Sequence, residues 1–350
     1  MINSVSIQNF KILENLENVP LGKVTLISGK NNTGKTTILE ALFLYLDCKS
    51  YDAIKKLFLG RQFDGSWPPK EVWEKFFFNS DLGNGIKIAV SSSDFKKACL
   101  EIEYLEDYVP PVQIPITENG ITMLVNNSRA LNIKHTLDEL IDYKAYLLIQ
   151  GLNYHYFKEF DSLKLQHSVI YIGERMRSYE KNNEYFGILD KADEQEKILP
   201  LLRLFEPNLV RLQLIEENGN SVIFADFGNK KKIPVNMLGD GFCRCLTMAL
   251  ILATKNADLF LVDEVAGGIH YSIQDELWNF LIKASELYNC QIIATTHSYD
   301  TIKSFNNAVK DDNISNYAYI RLGKSKGTIK PYVFGPETLN YSISSKLEIR

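Results

Sequence analysis

The run Gly29-Lys30-Asn31-Asn32-Thr33-Gly34-Lys35-Thr36 fits the spacing G-x-x-x-x-G-K-[ST]. Glycines at its two ends let the backbone fold tightly. The N–H groups of Asn31, Asn32, Thr33, Gly34, Lys35, Thr36 and Thr37 then face one point. A helix starting there adds partial positive charge, so the place suits a chain of phosphates. In such a loop Lys35 reaches the β- and γ-phosphates and the Thr36 hydroxyl ligates Mg²⁺. A second run, Leu259-Phe260-Leu261-Val262-Asp263-Glu264, is four apolar residues closed by two carboxylates. Asp263 is expected to hold Mg²⁺, through water or together with Thr36. Glu264 is expected to polarise the water that attacks a γ-phosphate. Taken alone, paired acids at a strand end fit a solvated turn equally well.

Two more places complete the set. His297 closes the run Ile292-Ile293-Ala294-Thr295-Thr296-His297-Ser298. A histidine at a strand end can donate a hydrogen bond to a γ-phosphate and sense its loss. Gly239, Asp240 and Gly241, in Leu238-Gly239-Asp240-Gly241-Phe242-Cys243-Arg244, precede a helical pattern. Free N–H groups there make a second anion site. That site has no phosphate of its own in one chain, but in a head-to-tail pair it covers the nucleotide of the other copy. Arg244 is open to two readings, a contact to the partner's phosphate or an ordinary solvated or salt-bridged helix residue.

The elements that position these residues follow from the periodicity. Val5, Ile7 and Phe10 alternate with polar residues, as in a half-buried strand. Residues 24–28 read as a buried strand, 35–47 as a helix, and the glycine-rich run lies between them. Residues 168–173, 258–262 and 291–295 read as further strands, the last two buried on both faces. Helices are expected over 136–160, 191–205, 241–255 and 271–288, and strands over 210–216, 221–227 and 317–333. Between 85 and 126 four β-like runs are separated by turn chemistry such as Asn84-Gly85 and Glu118-Asn119-Gly120. Trp67-Pro68-Pro69 reads as a loop in an aromatic stretch that is either core or a partner surface. Lys230-Lys231-Lys232 reads as a charged hairpin turn. No heptad run is sustained, so coiled-coil arms are not expected.

Composition sets outer limits. The chain has 350 residues, and 39 basic against 43 acidic side chains give a net charge of −4. Disorder and a wholly basic nucleic-acid coat are excluded by that balance and by an aromatic content of 11%. Cys48, Cys99, Cys243, Cys245 and Cys290 form no CxxC pair, so reduced thiols are expected rather than a disulfide framework. The polar, alternating N-terminus is not a signal peptide, and no run approaches the ~18 apolar residues of a membrane span. A cytoplasmic protein with no membrane contact is expected.

The four motifs in this order resemble the ATPase heads of the ABC/SMC class, and within it the OLD-type (overcoming lysogenisation defect) ATPases. The resemblance rests on Ile7-Gln8-Asn9-Phe10-Lys11, ISGKNNTGKTTILEAL, LGDGFCR as a degenerate signature, DEVAGGIH as Walker B with its D-loop, and ATTHS as the switch histidine. The closing Leu347-Glu348-Ile349-Arg350 is also similar to the end of such heads. Gly239 stands where transporters of this class carry a serine, so a transporter subunit is not expected. Ile149-Gln150-Gly151 superficially fits a Q-loop. The chain runs only a short way past His297, so the Toprim nuclease domain of OLD nucleases is not expected.

The resemblance implies an α/β fold: an ABC/SMC-like P-loop ATPase head, a mixed sheet flanked by helices, with an inserted α+β subdomain. The head is expected at 1–50 and 165–350 and the insert, for dimerisation or partner binding, at 51–164. It implies ATP and Mg²⁺ as cofactors and Glu264, His297 and Lys35 as catalytic residues. It further implies a homodimer or higher homo-oligomer and a separately encoded effector, a nuclease or toxin, in an anti-phage module. Two other readings stand beside it. A RecF-like repair ATPase would bind DNA, with affinity falling steeply in salt. A structural subunit locked on ATP would not hydrolyse it.

Overall fold

The computed structural model describes residues 1–49, 73–109, 115–118, 121–124, 128–150, 153–162, 168–173, 179–217, 219–228, 231–311, 316–325 and 327–350. The expected loop at Trp67-Pro68-Pro69 and the turn residues Asn119, Gly120, Gly151 and Lys230 lie outside them. The chain opens with β1 (Ile2–Phe10), β2 (Leu13–Pro20), β3 (Val24–Gly29) and α1 (Lys35–Leu46). Next come β4 (Ile86–Ser92), β5 (Ala98–Tyr108), β6 (Pro115–Glu118), β7 (Ile121–Leu124), β8 (Ser128–Leu137), β9 (Leu140–Gln150) and β10 (Asn153–Asp161). Then follow β11 (Val169–Ile172), α2 (Tyr179–Lys191), α3 (Leu199–Leu202), β12 (Arg211–Glu217), β13 (Asn220–Asp226) and β14 (Lys232–Pro234). The chain continues through α4 (Asp240–Lys255), β15 (Leu259–Val262), α5 (Gln274–Leu287), β16 (Gln291–Thr296), α6 (Tyr299–Asp311), β17 (Tyr317–Ser325), β18 (Thr328–Phe334) and α7 (Pro336–Ser344).

Two compact units arise. One comprises Met1–Pro20, Thr36–Gln166 and Gly323–Pro331, the other Leu21–Lys35, His167–Leu322 and Tyr332–Arg350. The segment expected as 1–50 of the head is divided between them, with β1 paired to β4 of the expected insert and β2 paired to β1.

The first unit holds a seven-stranded antiparallel sheet in the order β10-β9-β8-β5-β4-β1-β2, and β6 and β7 form a separate hairpin. Register explains its two faces. Ile7, Ile88, Leu100, His135 and Tyr143 lie opposite one another across five strands, and all are buried. One residue along, Gln8, Lys87, Glu101, Lys134 and Lys144 make the matching polar row. Side chains alternate across a strand, so one row faces the core and the next faces water.

The helix expected over 136–160 is corrected here. The segment is the end of β8, all of β9 and most of β10. Leu137, Leu140, Ile141, Tyr146 and Leu147 happen to fall at helical spacing, yet Leu140 and Ile141 are exposed while Tyr143 and every residue from Ala145 to Leu148 are buried, as in a strand covered on both faces there. The turn from β8 to β9 is Asp138-Glu139, with φ of +45° and +73° at the two residues. That geometry suits a two-residue hairpin, but Asp-Glu lacks the Asn-Gly or Asp-Gly signal that would have announced it. Gln150, weighed as a Q-loop residue, ends β9. Trp73, Phe76 and Phe77 are buried, so this part of the aromatic stretch is core.

The second unit is built on a sheet ordered β11-β15-β16-β3-β17-β18. Pairs from β11 to β17 are parallel. Every residue of β3, β15 and β16 is buried. Strands covered on both faces read as continuous apolar runs, which is how the sequence presents them. Trp278, Phe280 and Phe305 fill the helix side of this core, and the Trp278 indole N–H donates to the Thr301 carbonyl at 3.0 Å. Helix α4 is buried nearly all round and stops at Asn256, whose left-handed φ of +46° ends it. The helix expected at 191–205 is corrected: α2 already ends at Lys191, and only a 3-10 turn at Gln195–Lys197 and the short α3 follow. Asp193, at φ +54°, ends the first piece, and Pro200 starts the last. A small antiparallel sheet, β12-β13-β14, adjoins α2.

Candidate functional site

Strand β3 delivers the chain to the glycine-rich loop. Gly29 adopts φ +151° and is hemmed in, since a Cβ there would lie 2.7 Å from the Leu322 carbonyl oxygen and 2.6 Å from Thr33 Oγ1. Asn32 and Gly34 also have positive φ, +61° and +90°, so the backbone coils over itself before α1 begins. Asn31 and Asn32 are exposed at the crest, while Thr33, Gly34 and Lys35 are buried. Thr33 Oγ1 donates to the Lys30 carbonyl at 2.8 Å and ties the crest down. Thr36, half-buried, and Thr37, buried, follow in the first turn of α1.

The Lys35 side chain turns back into this loop. Its ammonium donates to the carbonyls of Gly29 at 2.9 Å and Lys30 at 3.2 Å and stands 3.9 Å from Glu264 Oε1. Lys35 is 6% exposed. Burial pushes its pKa below the ordinary lysine value, and the carboxylates of Glu264 and Asp263 partly offset that shift.

The carboxylate pair stands at the end of β15, as the sequence indicates. The Asp263 N–H donates to the Ile172 carbonyl of the neighbouring strand at 2.8 Å. One hydroxyl then organises both acids. Thr295 Oγ1 donates to Asp263 Oδ1 at 2.6 Å and accepts the Glu264 N–H at 2.9 Å. Glu264 has φ +46°, a left-handed conformation uncommon for a residue with a side chain. Its Oε2 lies 2.9 Å from Nδ1 of His297, whose side chain is 59% exposed. Lys35, Glu264 and His297 therefore form one line of contacts.

Arg244 holds that turn from beneath. Its guanidinium donates from Nε to the Val265 carbonyl (3.2 Å) and from Nη2 to those of Asp263 (3.2 Å) and Glu264 (2.9 Å). It is 7% exposed. The solvated reading offered for it is corrected. In this structure it is not solvated, because three carbonyls of its own chain turn toward it at the bend after β15. Gly239 and Asp240 are exposed and Gly241 is buried. Gly239 has φ +92°, and a Cβ on Gly241 would come within 3.0 Å of Ile273 Cδ1. Asp240 puts a carboxylate in the first turn of α4.

The sequence brought forward Lys35, Asp263, Glu264 and His297, and the fold gathers their side chains. Thr295 was not singled out, although a threonine in a fully buried strand is a usable signal. Such a hydroxyl must find a partner, and Asp263 follows directly on the Val262 rung that pairs with Ala294. Among the described residues no group of three or more His, Cys, Asp or Glu could hold a metal ion by itself.

Comparison with known proteins gives the family and the fold class. An "AAA ATPase domain" family model matches residues 1–201. A second model, described as "AAA domain, putative AbiEii toxin, Type IV TA system", matches residues 120–302. The chain belongs to the AAA ATPase domain family, and it is an ATPase with a P-loop. It is similar to an ATP/GTP phosphatase of Helicobacter pylori, 25% identical over 97% of each chain. An uncharacterized Methanocaldococcus jannaschii protein is 34% identical over 23% of this chain and 37% of its own. Among solved structures, an SMC head bound to the C-winged helix domain of ScpA superposes with a TM-score of 0.54. That likeness spans 95% of this chain and 97% of the other at 13% identity, and it shows a shared SMC-head-like P-loop fold. Among the described residues no helix is long and apolar enough to cross a membrane.

Proposed function

We propose that the chain is an ATP-gated assembly switch. ATP is bound along residues 31–37 and hydrolysed by Glu264 and His297. The observation that carries this reading is the line of contacts Lys35–Glu264–His297, at 3.9 and 2.9 Å. The donor set suits the nucleotide. Lys35 now spends its ammonium on two neutral carbonyls, and phosphate oxygens are stronger acceptors for a buried cation. By their motifs, Asp263 and the Thr36 hydroxyl would hold Mg²⁺, which supplies charge neutralisation of the phosphates when bound.

The chemistry follows from the side chains. A water attacks the γ-phosphorus, the bond to the β–γ bridging oxygen breaks, and ADP leaves carrying that oxygen. Glu264 takes the proton of the attacking water, because its carboxylate is held between a lysine and a histidine and keeps a free lone pair. His297 donates to Glu264 or to the γ-phosphate, so its partner differs before and after hydrolysis. Lys35 stabilises negative charge on the phosphates.

Two copies are proposed to sandwich two nucleotides, with the N–H groups of Gly239, Asp240 and Gly241 in one copy over the γ-phosphate bound to the other. The exposure of Gly239 and Asp240 at the start of α4 supports this. Loss of the γ-phosphate then loosens the pair. The switch is proposed to act on a separately encoded effector, a nuclease or toxin, in an OLD-type anti-phage module. The likeness of residues 120–302 to a family of Type IV toxin–antitoxin systems supports a two-component system. The printed activity of the Helicobacter pylori relative supports nucleoside triphosphate hydrolysis.

The test is the solution mass of Glu264→Gln protein by light scattering, with and without ATP–Mg²⁺. The amide blocks hydrolysis and keeps the site filled. A mass that doubles only with ATP is the expected result. A mass indifferent to ATP would remove the gating step and leave an ATPase in a fixed assembly.

A further inference from the structure

We propose that Glu348, Ile349 and Arg350 form a strap that sets the position of the nucleotide loop, with Ser28 and Tyr319 as the positioning residues that it grips. The inference rests on the reading of residues 29–37 as the ATP site. Ser28 is the residue before Gly29, and it is fully buried, as are Tyr319 and Ile349. The Tyr319 hydroxyl donates to the Ile349 carbonyl, and Ser28 Oγ stands 3.2 Å from the same carbonyl, with its hydrogen free to go to Tyr319. The Ser28 and Tyr319 oxygens are themselves 2.5 Å apart. Three polar groups thus close on one another inside an apolar core that also holds Val24 and Leu26 of β3.

The strap engages the last two rungs before the loop. Ser28 pairs with Arg321 and Gly29 with Leu322 where β17 runs beside β3. The Arg321 guanidinium donates from Nε to the Arg350 carbonyl at 2.9 Å. The Glu348 carboxylate accepts the Arg350 N–H at 2.9 Å. That N–H, with the charges of Arg350, Lys30 and Arg321, holds the Glu348 pKa below the usual carboxylate range. An ionised group therefore stands near Lys30, the first exposed residue of the loop.

A physical path leads from the strap to the site. Gly29 has no slack, because a neighbouring carbonyl and a hydroxyl already stand where its Cβ would be. Its own carbonyl holds the Lys35 ammonium at 2.9 Å. A displacement at Ser28 is consequently handed to Gly29 and on to Lys35, rather than being absorbed by a flexible turn. Apolar side chains would fill the same space without the desolvation cost of three polar groups. What hydroxyls add is direction, since each hydrogen bond fixes both a distance and an angle.

Tyr319→Phe and Ser28→Ala, each with Glu264→Gln to stop hydrolysis, are compared by the binding of a fluorescent ATP analogue with Mg²⁺. Lys35→Ala is measured beside them, and melting without nucleotide is recorded for all. Each strap variant is expected to bind about fivefold more weakly, the effect of about one hydrogen bond. The double variant is expected to add little, because the two hydroxyls form one chain that ends on the Ile349 carbonyl. In the hydrolysing background the loss is expected in KM, with kcat changed less than twofold, a split that a general loosening of the core would not produce. Arg321→Gln, at a half-buried position, tests the same strap if a core variant does not fold, with an expected two- to threefold loss. Unchanged ATP affinity in the strap variants, alongside loss in Lys35→Ala, overturns the inference and leaves the site reading standing. Normal ATP binding by Lys35→Ala overturns both.

Discussion

Replacing Arg244 with methionine separates a supporting role within the chain from a contact to a second copy. Methionine has similar length and fills most of the space, but it cannot donate. Three carbonyls, of Asp263, Glu264 and Val265, lose a charged donor at 2.9 to 3.2 Å. Hydrogen bonds to a charged group contribute about 1.5–3 kcal/mol each, and removing the guanidinium returns part of its own burial cost. A net destabilisation of about 3 kcal/mol follows. At about 2–4 °C per kcal/mol, the melting point falls by about 6–12 °C. Turnover suffers more than stability. Glu264 sits at φ +46° with its carbonyl held by Arg244, and release of that carbonyl lets the carboxylate move. A shift of about 1 Å in a catalytic group costs about 100-fold in rate. ATP affinity should change by less than about threefold, because the three carbonyls that Arg244 holds belong to the turn at 263–265 and not to the loop at 29–35. Arg244→Lys should fall between, since one ammonium cannot span three carbonyls as a planar fork does. The assays are phosphate release under saturating ATP, equilibrium binding and calorimetry. Wild-type melting together with a lost dimer would refute the reasoning and return Arg244 to the partner's phosphate.

Three further outcomes are expected. Thr295→Val keeps the shape but strips Asp263 and the Glu264 N–H of their shared partner, so half-maximal turnover should need about tenfold more Mg²⁺; an unchanged Mg²⁺ titration would count against it. His297→Ala should lower kcat by about 100-fold with melting unaltered, since the ring touches Glu264 and is otherwise mostly in solvent; phosphate release and calorimetry on one sample decide this. For Lys35 the sign comes from its lowered pKa. Without nucleotide the fold carries the cost of a buried ammonium at neutral pH, and the cost is relieved as pH climbs through the lowered pKa toward 10.5. Lys35→Met should therefore melt higher than wild type near pH 7, with an advantage that narrows toward pH 10. A constant difference across that range would show that burial does not set this pKa.

The phosphate loop, the acids after β15 and His297 were legible because each is a local pattern. A glycine spacing forces a coil, and a short apolar run ending in charge marks where a buried strand surfaces. The strands of the second unit were legible for the same reason, as unbroken apolar runs. Residues 136–160 were misread because the deciding turn, Asp138-Glu139, carries no residue that prefers positive φ. Its geometry is imposed by the pairing of Leu137 with Leu140 and not by local preference.

The sequence by itself determined the order in which the chain presents the glycine-rich loop, the acid pair and the histidine, and the chemistry proposed for them rests on that order. Those are properties of residue type and short spacing. Only the tertiary structure decided who supports whom. Arg244 stands 19 and 20 residues before Asp263 and Glu264 along the chain, and Thr295 stands 32 after Asp263. Ser28 and Ile349 lie near opposite ends. Such pairs meet only when parallel strands fix their register, and no local pattern encodes a hydrogen bond whose two ends are set by separate elements.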